Sequence, residues 1–199
     1  MYEKQKNYCS FIKVGKQEFM EKLFCDGEIY FNSLEYFRKL PQENNMSDPH
    51  EGIIKLIQTE NIKIKVGDKT FFSDKGQLRI TNPNLQGNMF CLYGIKTEII
   101  EPTKIFKELN LDISSIDWGE AAVYIYDTKE FLKRMKSAIK KVQLQFKFHA
   151  VSYYDEKTYK GNLSIFDKSI KFKKQNEIRY WIPNATNKPI KYILATCQI

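Results

Sequence analysis

The strongest constraint on the fold is a succession of short apolar segments that switch between the periodicity of a strand and that of a helix. Residues 8–14 alternate as a strand does, and residues 16–26 then carry apolar side chains at helical spacing. Gly27 is the residue type that commonly ends a helix, and residues 28–32 resume the alternation of a strand. The chain is therefore predicted to begin with a strand, a helix and a second strand.

Further strands dominate the rest of the chain. Strand patterns occupy residues 53–57, 61–66, 69–72, 78–81, 88–96, 120–127, 144–148, 170–172, 177–182 and 190–196, with a hairpin turn at 67–68. Helical patterns occupy residues 34–40, 103–109 and 129–141, and the polar segment 41–49 is predicted to be a surface loop. Because no repeat or internal linker is present, the sequence predicts one α+β domain over residues 1–199. It is expected to be β-rich, with a central, mostly antiparallel sheet and three or four helices.

Length and composition argue against several protein classes. The chain has 199 residues, 42% of them hydrophobic, which is enough for one core. Its longest apolar runs have four or five residues, far below the roughly 20 that cross a bilayer, and its first residues do not resemble a signal peptide. Four scattered cysteines and two histidines lack the spacing of a zinc site or a disulfide framework. We therefore expect a cytoplasmic protein with no membrane partner and no metal.

Positive charge is concentrated in one region. Residues 129–174 contain thirteen Lys or Arg and four acids, whereas the rest of the chain is close to neutral within a total of +8. Four lysines of the predicted helix recur at intervals of four, three and four, and two more basic residues flank them: Lys129, Lys133, Lys136 and Lys140, with Arg134 and Lys141. Such a stripe favours contact with a nucleic acid, a nucleoprotein or an acidic protein. A lysine-rich surface that only keeps the protein soluble is the simpler interpretation.

Two polar motifs follow the first helix, and a third lies near the end of the chain. Residues 27–33 read GEIYFNS, residues 47–52 read SDPHEG, and residues 177–180 read EIRY. This order resembles a family of bacterial and phage proteins of unknown function with the motifs G-x-[IL]-[YW]-F-[NS]-[ST], [NS]-D-P-x-E-G and a late E-x-R-Y. The resemblance implies a role in phage–bacteria conflict, in antiviral defence or in its inhibition.

The order strand, helix, strand, with Q-N-E at residues 175–177, is also similar, more remotely, to that of ADP-ribosyltransferases. In that superfamily an early strand supplies Arg or His for NAD, a middle strand supplies Ser or Tyr, and a late strand supplies a catalytic Glu within [EQ]-x-E. Carried over by position, Lys13 takes the early role, Tyr93 or Cys91 the middle one, and Glu177 the last. The resemblance therefore implies NAD as cofactor.

The chemistry of that reaction explains why these residue types are candidates. Cleavage of the nicotinamide glycosidic bond builds positive charge on the ribose, and a fixed carboxylate such as Glu177 stabilises that charge. Gln175, two residues earlier on the predicted strand, would share its face and orient the acceptor. The NAD cleft is expected between the first helix and the sheet, lined by polar side chains at strand ends and in a loop: Asn32, Ser33, Asp48 and Glu51.

Structural interpretations stand beside these functional ones. Ser33 can cap the helix at 34–40, Asp48 can begin a turn, and Glu177 can pair with Arg179 or a nearby lysine in a buried polar network. The alternative function is that of a non-catalytic inhibitor or binding protein, which would dock on nucleic acid or a nucleoprotein through the basic surface at residues 129–174.

Overall fold

The computed structural model describes residues 8–40, 48–96, 119–141, 144–183 and 186–194. The predicted helix at 103–109 and most of the predicted loop at 41–49 lie outside these residues. The helices are α1 Gln17–Asp26, α2 Leu34–Lys39, α3 Thr128–Lys141 and a 3-10 helix, Ile170–Gln175. The strands are β1 Tyr8–Gly15, β2 Glu28–Ser33, β3 Ile53–Val66, β4 Lys69–Thr81, β5 Gly87–Lys96, β6 Ala121–Ile125, β7 Lys147–Ala150, β8 Ser152–Tyr154, β9 Gly161–Asn162, β10 Asp167–Ser169, β11 Glu177–Pro183 and β12 Ile190–Ile193.

A curled antiparallel sheet forms the centre of the fold, which confirms the prediction of a β-rich α+β protein. Strand β5 pairs with β11 along one side, and with β1 and the end of β2 along the other. The sheet continues from β1 to β6, from β2 to β12 and from β11 to β7. Strands β8 and β10 form a separate parallel pair, and β3, β4 and β9 form a third, three-stranded sheet.

Helix ends and the core follow from local sequence. Helix α1 ends at Gly27, whose left-handed conformation (φ 65°) lets its N–H donate to the Lys22 carbonyl. The apolar side of α3 packs on the sheet through Met135 and Ile139, in one cluster with the buried Tyr180 of β11. Phe146 and Phe148 also pack around Tyr180, so these two aromatic residues belong to the core side of the structure. No helix in the described parts of the chain is long and apolar enough to span a bilayer.

Three strand predictions are wrong. The segments predicted at 53–57 and 61–66 are one strand, β3, and those predicted at 69–72 and 78–81 are one strand, β4. The two strands stay in register through the left-handed Asn61 (φ 52°). Residues 170–172, predicted as a strand, belong to the 3-10 helix. An apolar alternation of only three residues cannot distinguish a strand from a short helix. In this protein the 3-10 helix turns the chain so that Gln175 lies beside Lys168, seven residues earlier.

Candidate functional site

A cavity of about 460 Å³ lies between α1, α2 and the central sheet. Helix α1 contributes Phe19, Met20 and Leu23 to its wall, and α2 contributes Tyr36 and Phe37. The sheet supplies the opposite wall through β1, β2, β5 and the first residues of β11. Its size is typical of a small-molecule site, for which volumes of roughly 300–1,000 Å³ are usual.

Seven of the nine residues named from the sequence for catalysis or cofactor binding line this cavity: Lys13, Asn32, Glu51, Cys91, Tyr93, Gln175 and Glu177. They come from β1, β2, the turn before β3, β5, the 3-10 helix and β11, so the fold gathers residues spread over most of the chain. Tyr93 lies directly opposite Glu177 in the register of β5 and β11, which places both side chains on the same face of the sheet.

Ser33 and Asp48, the other two, lie outside the cavity wall and have local structural roles. The Ser33 hydroxyl caps α2 by accepting a hydrogen bond from the Tyr36 N–H at 3.2 Å. The Asp48 carboxylate accepts one from the His50 N–H at 2.9 Å, as in an Asx turn. Both contacts match the structural interpretation of these residues.

The floor of the cavity is a buried chain of alternating charges. Arg179 contacts Glu51 through Nη1 to Oε1 at 2.8 Å and Nη2 to Oε2 at 3.2 Å, and its Nε donates to Glu177 Oε1 at 2.8 Å. Lys168 Nζ completes the chain with bonds to Glu177 Oε2 at 2.9 Å and Gln175 Oε1 at 2.7 Å. Both oxygens of the Glu177 carboxylate therefore hold a cation, and the buried ion pair expected with Arg179 is present.

The charges in this network set the ionisation of its members. Burial alone would raise the pKa of Glu177, but the Arg179 guanidinium and the Lys168 ammonium outweigh it and hold that pKa well below its usual range. Burial raises the pKa of Glu51, with Arg179 opposing the shift. Burial also raises the pKa of the Cys91 thiol, as does the nearby Glu177 carboxylate, so the thiol stays protonated. Glu177 is thus the more firmly ionised of the two carboxylates in the network.

Gln175 reaches the site by a different route from the one predicted. It ends the 3-10 helix rather than lying on the late strand, and the left-handed Asn176 (φ 38°) separates it from Glu177. The alternation argument that placed Gln175 and Glu177 on one strand face is therefore wrong. The two side chains nevertheless converge, because Lys168 bonds to both.

Lys13 is a half-buried cation of the cavity wall with few side-chain contacts among the described residues. Its ammonium donates to the Cys91 carbonyl at 2.8 Å and lies 4.8 Å from the centre of the Phe90 ring. Among the described residues it forms no ion pair, whereas Lys168 and Arg179 are each paired with a carboxylate. Burial lowers the pKa of Lys13, and the nearby Cys91 and Glu177 oppose the shift. Lys13 therefore gives the cavity a positive charge that an anionic ligand can neutralise.

Aromatic rings line the α1 side of the cavity. The rings of Phe19 and Tyr30 are stacked, with centroids 5.9 Å apart and planes 17° from parallel. The sequence indicated only the helical spacing of the apolar residues in 16–26 and did not predict that Phe19 lines a cavity, nor that Lys168 is the partner of Gln175 and Glu177. A helical period does not indicate which of its apolar residues face a cavity rather than the core.

The basic stripe lies on the exposed side of α3. Lys129, Lys133, Lys136, Lys140 and Lys141 are exposed, while the other side of the helix is buried. Glu130 pairs with Lys133 at 3.3 Å and with Arg134 at 3.0 Å and neutralises part of the stripe. Lys168, which sequence reasoning counted with the basic region, is buried in the charge network.

Comparisons with known proteins leave the function to be inferred from the site. The described residues contain no group of three side chains that could hold a metal ion. No family model, no curated protein and no solved structure matches this chain.

Proposed function

We propose that the cavity binds NAD and that the protein transfers an ADP-ribosyl group to a protein or nucleic-acid acceptor, in the setting of phage–bacteria conflict. The observation that carries the proposal is the Glu177 carboxylate, held by Lys168 and Arg179 in the wall of a largely apolar cavity. A fixed negative charge in such surroundings stabilises a positive charge that develops beside it far better than water would.

The residues of the cavity fit a dinucleotide in three respects. Lys13 supplies an ammonium without a carboxylate partner among the described residues, which suits a phosphate group. Phe19 and Tyr30 supply a stacked aromatic surface, which suits a planar base. The cavity volume of about 460 Å³ lies within the range of small-molecule sites. NAD, when bound, supplies the ribose and its nicotinamide leaving group.

Five of the predicted residues in the cavity have further roles in this proposal, supported by Arg179 and Lys168. Glu177 stabilises charge on the ribose and accepts a bond from a ribose hydroxyl, while Arg179 and Lys168 keep it ionised and in place. Tyr93, opposite Glu177, and Gln175 position the acceptor group. Asn32 and Glu51 offer further polar contacts along the wall. The exposed lysines of α3 recruit a nucleic acid or an acidic protein as the acceptor.

The test is incubation of the purified protein with labelled NAD, alone and with a cell lysate, followed by measurement of nicotinamide release and of label transfer. Glu177→Gln is compared with Glu51→Gln, because each variant removes one carboxylate charge from Arg179 in the same buried network. We expect turnover to fall by about 1,000-fold or more in Glu177→Gln. We expect Glu51→Gln to retain measurable kcat with a higher KM. No NAD consumption by the native protein, or equal losses in both variants, would contradict the proposal.

The alternative function, a non-catalytic inhibitor that docks on nucleic acid or a nucleoprotein, is favoured by one observation. The lysines of α3 lie on the solvent side of a helix whose other side is buried, so the stripe is free to meet a polyanion without disturbing the core. Binding that is unchanged in Glu177→Gln would favour this alternative.

A further inference from the structure

The exposed fractions of the cavity residues distinguish its floor from its mouth. Glu177 is only 6% exposed and lies at the floor. Phe19 of α1 and Tyr36 of α2 also line the cavity, but they are 39% and 45% exposed. A side chain that lines a cavity and is also open to solvent lies near the mouth. An acceptor that enters the cavity therefore meets an aromatic ring from each helix before it reaches Glu177.

Helix α2 joins the Tyr36 side of the mouth to the buried charge network. Arg38, two residues after Tyr36, donates from its Nε to the Glu51 carbonyl at 3.0 Å. The Glu51 carboxylate contacts Arg179, and the same guanidinium bonds to Glu177. Tyr36 is thus held in a defined position relative to the carboxylate at the floor, as a ring that orients an acceptor must be.

The charges of the cavity wall disfavour a cationic acceptor. Each carboxylate among the described residues of the wall has a cationic partner: Glu28 with Lys191, Glu51 with Arg179, and Glu177 with both Arg179 and Lys168. Two lysines of the wall, Lys13 and the exposed Lys16, take part in none of the ion pairs among the described residues. An arginine or lysine acceptor would meet further cations here, whereas a phosphate backbone meets complementary charge.

We propose that the acceptor is a base of a single-stranded nucleic acid, which stacks on Tyr36 while its backbone phosphates lie near Lys16; this inference rests on the proposed transfer of ADP-ribose. Every base has a flat π-face, so an exposed aromatic ring binds bases without a strong sequence preference. A base in a duplex is already stacked and paired, and it must be extruded before an enzyme can act on it. A single strand therefore fits the mouth better than a duplex does.

The transfer exchanges one glycosidic bond for another. An N–H nitrogen of the base forms the new bond to C1′ of the NAD ribose. The bond between C1′ and nicotinamide breaks, and its electron pair stays on the nitrogen of the departing, neutral nicotinamide. The base gives its proton to water, because both oxygens of the Glu177 carboxylate are occupied by Arg179 and Lys168.

Incubation with labelled NAD and a mixed-sequence single-stranded oligonucleotide, supplied as DNA and as RNA, tests this inference. The matching duplexes and the proteins of a cell lysate serve as competing acceptors. We expect label on a single strand, at a rate about 10-fold or more above that of its duplex. Nicotinamide release with label on protein alone, or with no acceptor but water, would overturn this inference and leave NAD cleavage standing. No nicotinamide release by the native protein would overturn both.

Tyr36→Ser and Tyr124→Ser form a matched pair of variants. Each removes an exposed tyrosine ring, but Tyr124 lies on β6 and does not line the cavity. We expect Tyr36→Ser to raise the KM for the oligonucleotide by about 10- to 100-fold, and Tyr124→Ser to leave it unchanged. Tyr36→Phe keeps the ring and should keep the native KM, while circular dichroism checks that all three variants fold. A KM that stays unchanged in Tyr36→Ser, or that rises as much in Tyr124→Ser, would overturn the inference.

Discussion

Glu51 and Arg179 lie 128 residues apart in the sequence and form a buried two-point ion pair, with N–O distances of 2.8 and 3.2 Å. The pair ties the turn before β3 to the middle of β11, beneath the cavity. The same guanidinium also bonds to Glu177 and to the Ile165 carbonyl, so one side chain joins three separate segments of the chain. The charges of this network therefore have a structural role that is distinct from any chemical one.

Arg179→Met should destabilise the protein strongly. The change leaves Glu51 and Glu177 buried without their shared cation, and breaking a buried ion pair in this way costs about 3–5 kcal/mol. Urea unfolding followed by circular dichroism measures the free energy of unfolding. The control is Arg134→Met, which removes an ion pair on the outside of α3 and should leave the unfolding midpoint unchanged. A similar small effect for Arg179→Met would mean that the network does not hold the site together.

The stability contributed by Glu177 should depend on pH in a defined direction. Its pKa in the folded state is held below the ordinary value of about 4.3 by Arg179 and Lys168, against the opposing effect of burial. A carboxyl group whose pKa is lowered in the folded state contributes its full stabilisation when the pH is above its pKa in the unfolded chain. This stabilisation is lost as the pH falls through the pKa of the folded state. The difference in unfolding free energy between native protein and Glu177→Gln should therefore be constant from about pH 5 to about pH 8 and shrink below about pH 4.

Urea titrations of both proteins across this pH range measure that difference. If this difference in unfolding free energy instead grew as the pH fell, the pKa of Glu177 would be raised in the folded protein. That result would contradict the ion pairs that Lys168 and Arg179 form with the two oxygens of the Glu177 carboxylate.

Lys13→Met should weaken the binding of phosphate-bearing ligands selectively. A charge-assisted hydrogen bond contributes about 1.5–3 kcal/mol, so the affinity for ADP-ribose should fall by roughly 10- to 100-fold. Adenosine, which lacks phosphate, should bind both proteins alike. Isothermal titration calorimetry measures both affinities, and Lys13→Arg, which keeps the charge, should lose less affinity for ADP-ribose than Lys13→Met. Equal losses for ADP-ribose and adenosine would place Lys13 away from the phosphates.

The sequence predicted the elements of the fold better than their contacts. Gly27 and Ser33 indicated correctly where α1 ends and α2 begins, because helix caps depend on local backbone geometry alone. The short apolar alternation at Ile170 and Phe172 led to a wrong strand, because the bonds that Gln175 makes to Lys168 are decided by tertiary structure. Local patterns are informative where the stabilising contacts are themselves local.

The residue types and motifs in the sequence singled out most of the candidates that line the cavity, but not their partners. The Q-N-E motif predicted Glu177 and Gln175 together, but not on one strand face as expected, since the left-handed Asn176 separates the 3-10 helix from β11. The pair of Glu51 with Arg179 spans 128 residues and leaves no periodic signal in a single sequence. The aromatic wall of the cavity was missed for a related reason: Phe19 has the spacing of a core residue.

Replacement of Lys129, Lys133, Lys136 and Lys140 by Gln tests the basic stripe. All four side chains are exposed on α3, so the fold should be unaffected, and the protein should lose phosphate contacts along one side of the helix. The logarithm of the DNA-binding constant falls with the logarithm of the salt concentration, with a slope of about −0.9 for each phosphate contact. Loss of four contacts should therefore make this slope shallower by roughly 3–4. Fluorescence anisotropy with a labelled duplex at several salt concentrations gives this slope.

The matched control removes the same charge from the β3–β4 hairpin, at Lys63, Lys65, Lys69 and Lys75. If the two variants reduce the slope equally, the protein responds only to total charge and the stripe on α3 is not a specific interface.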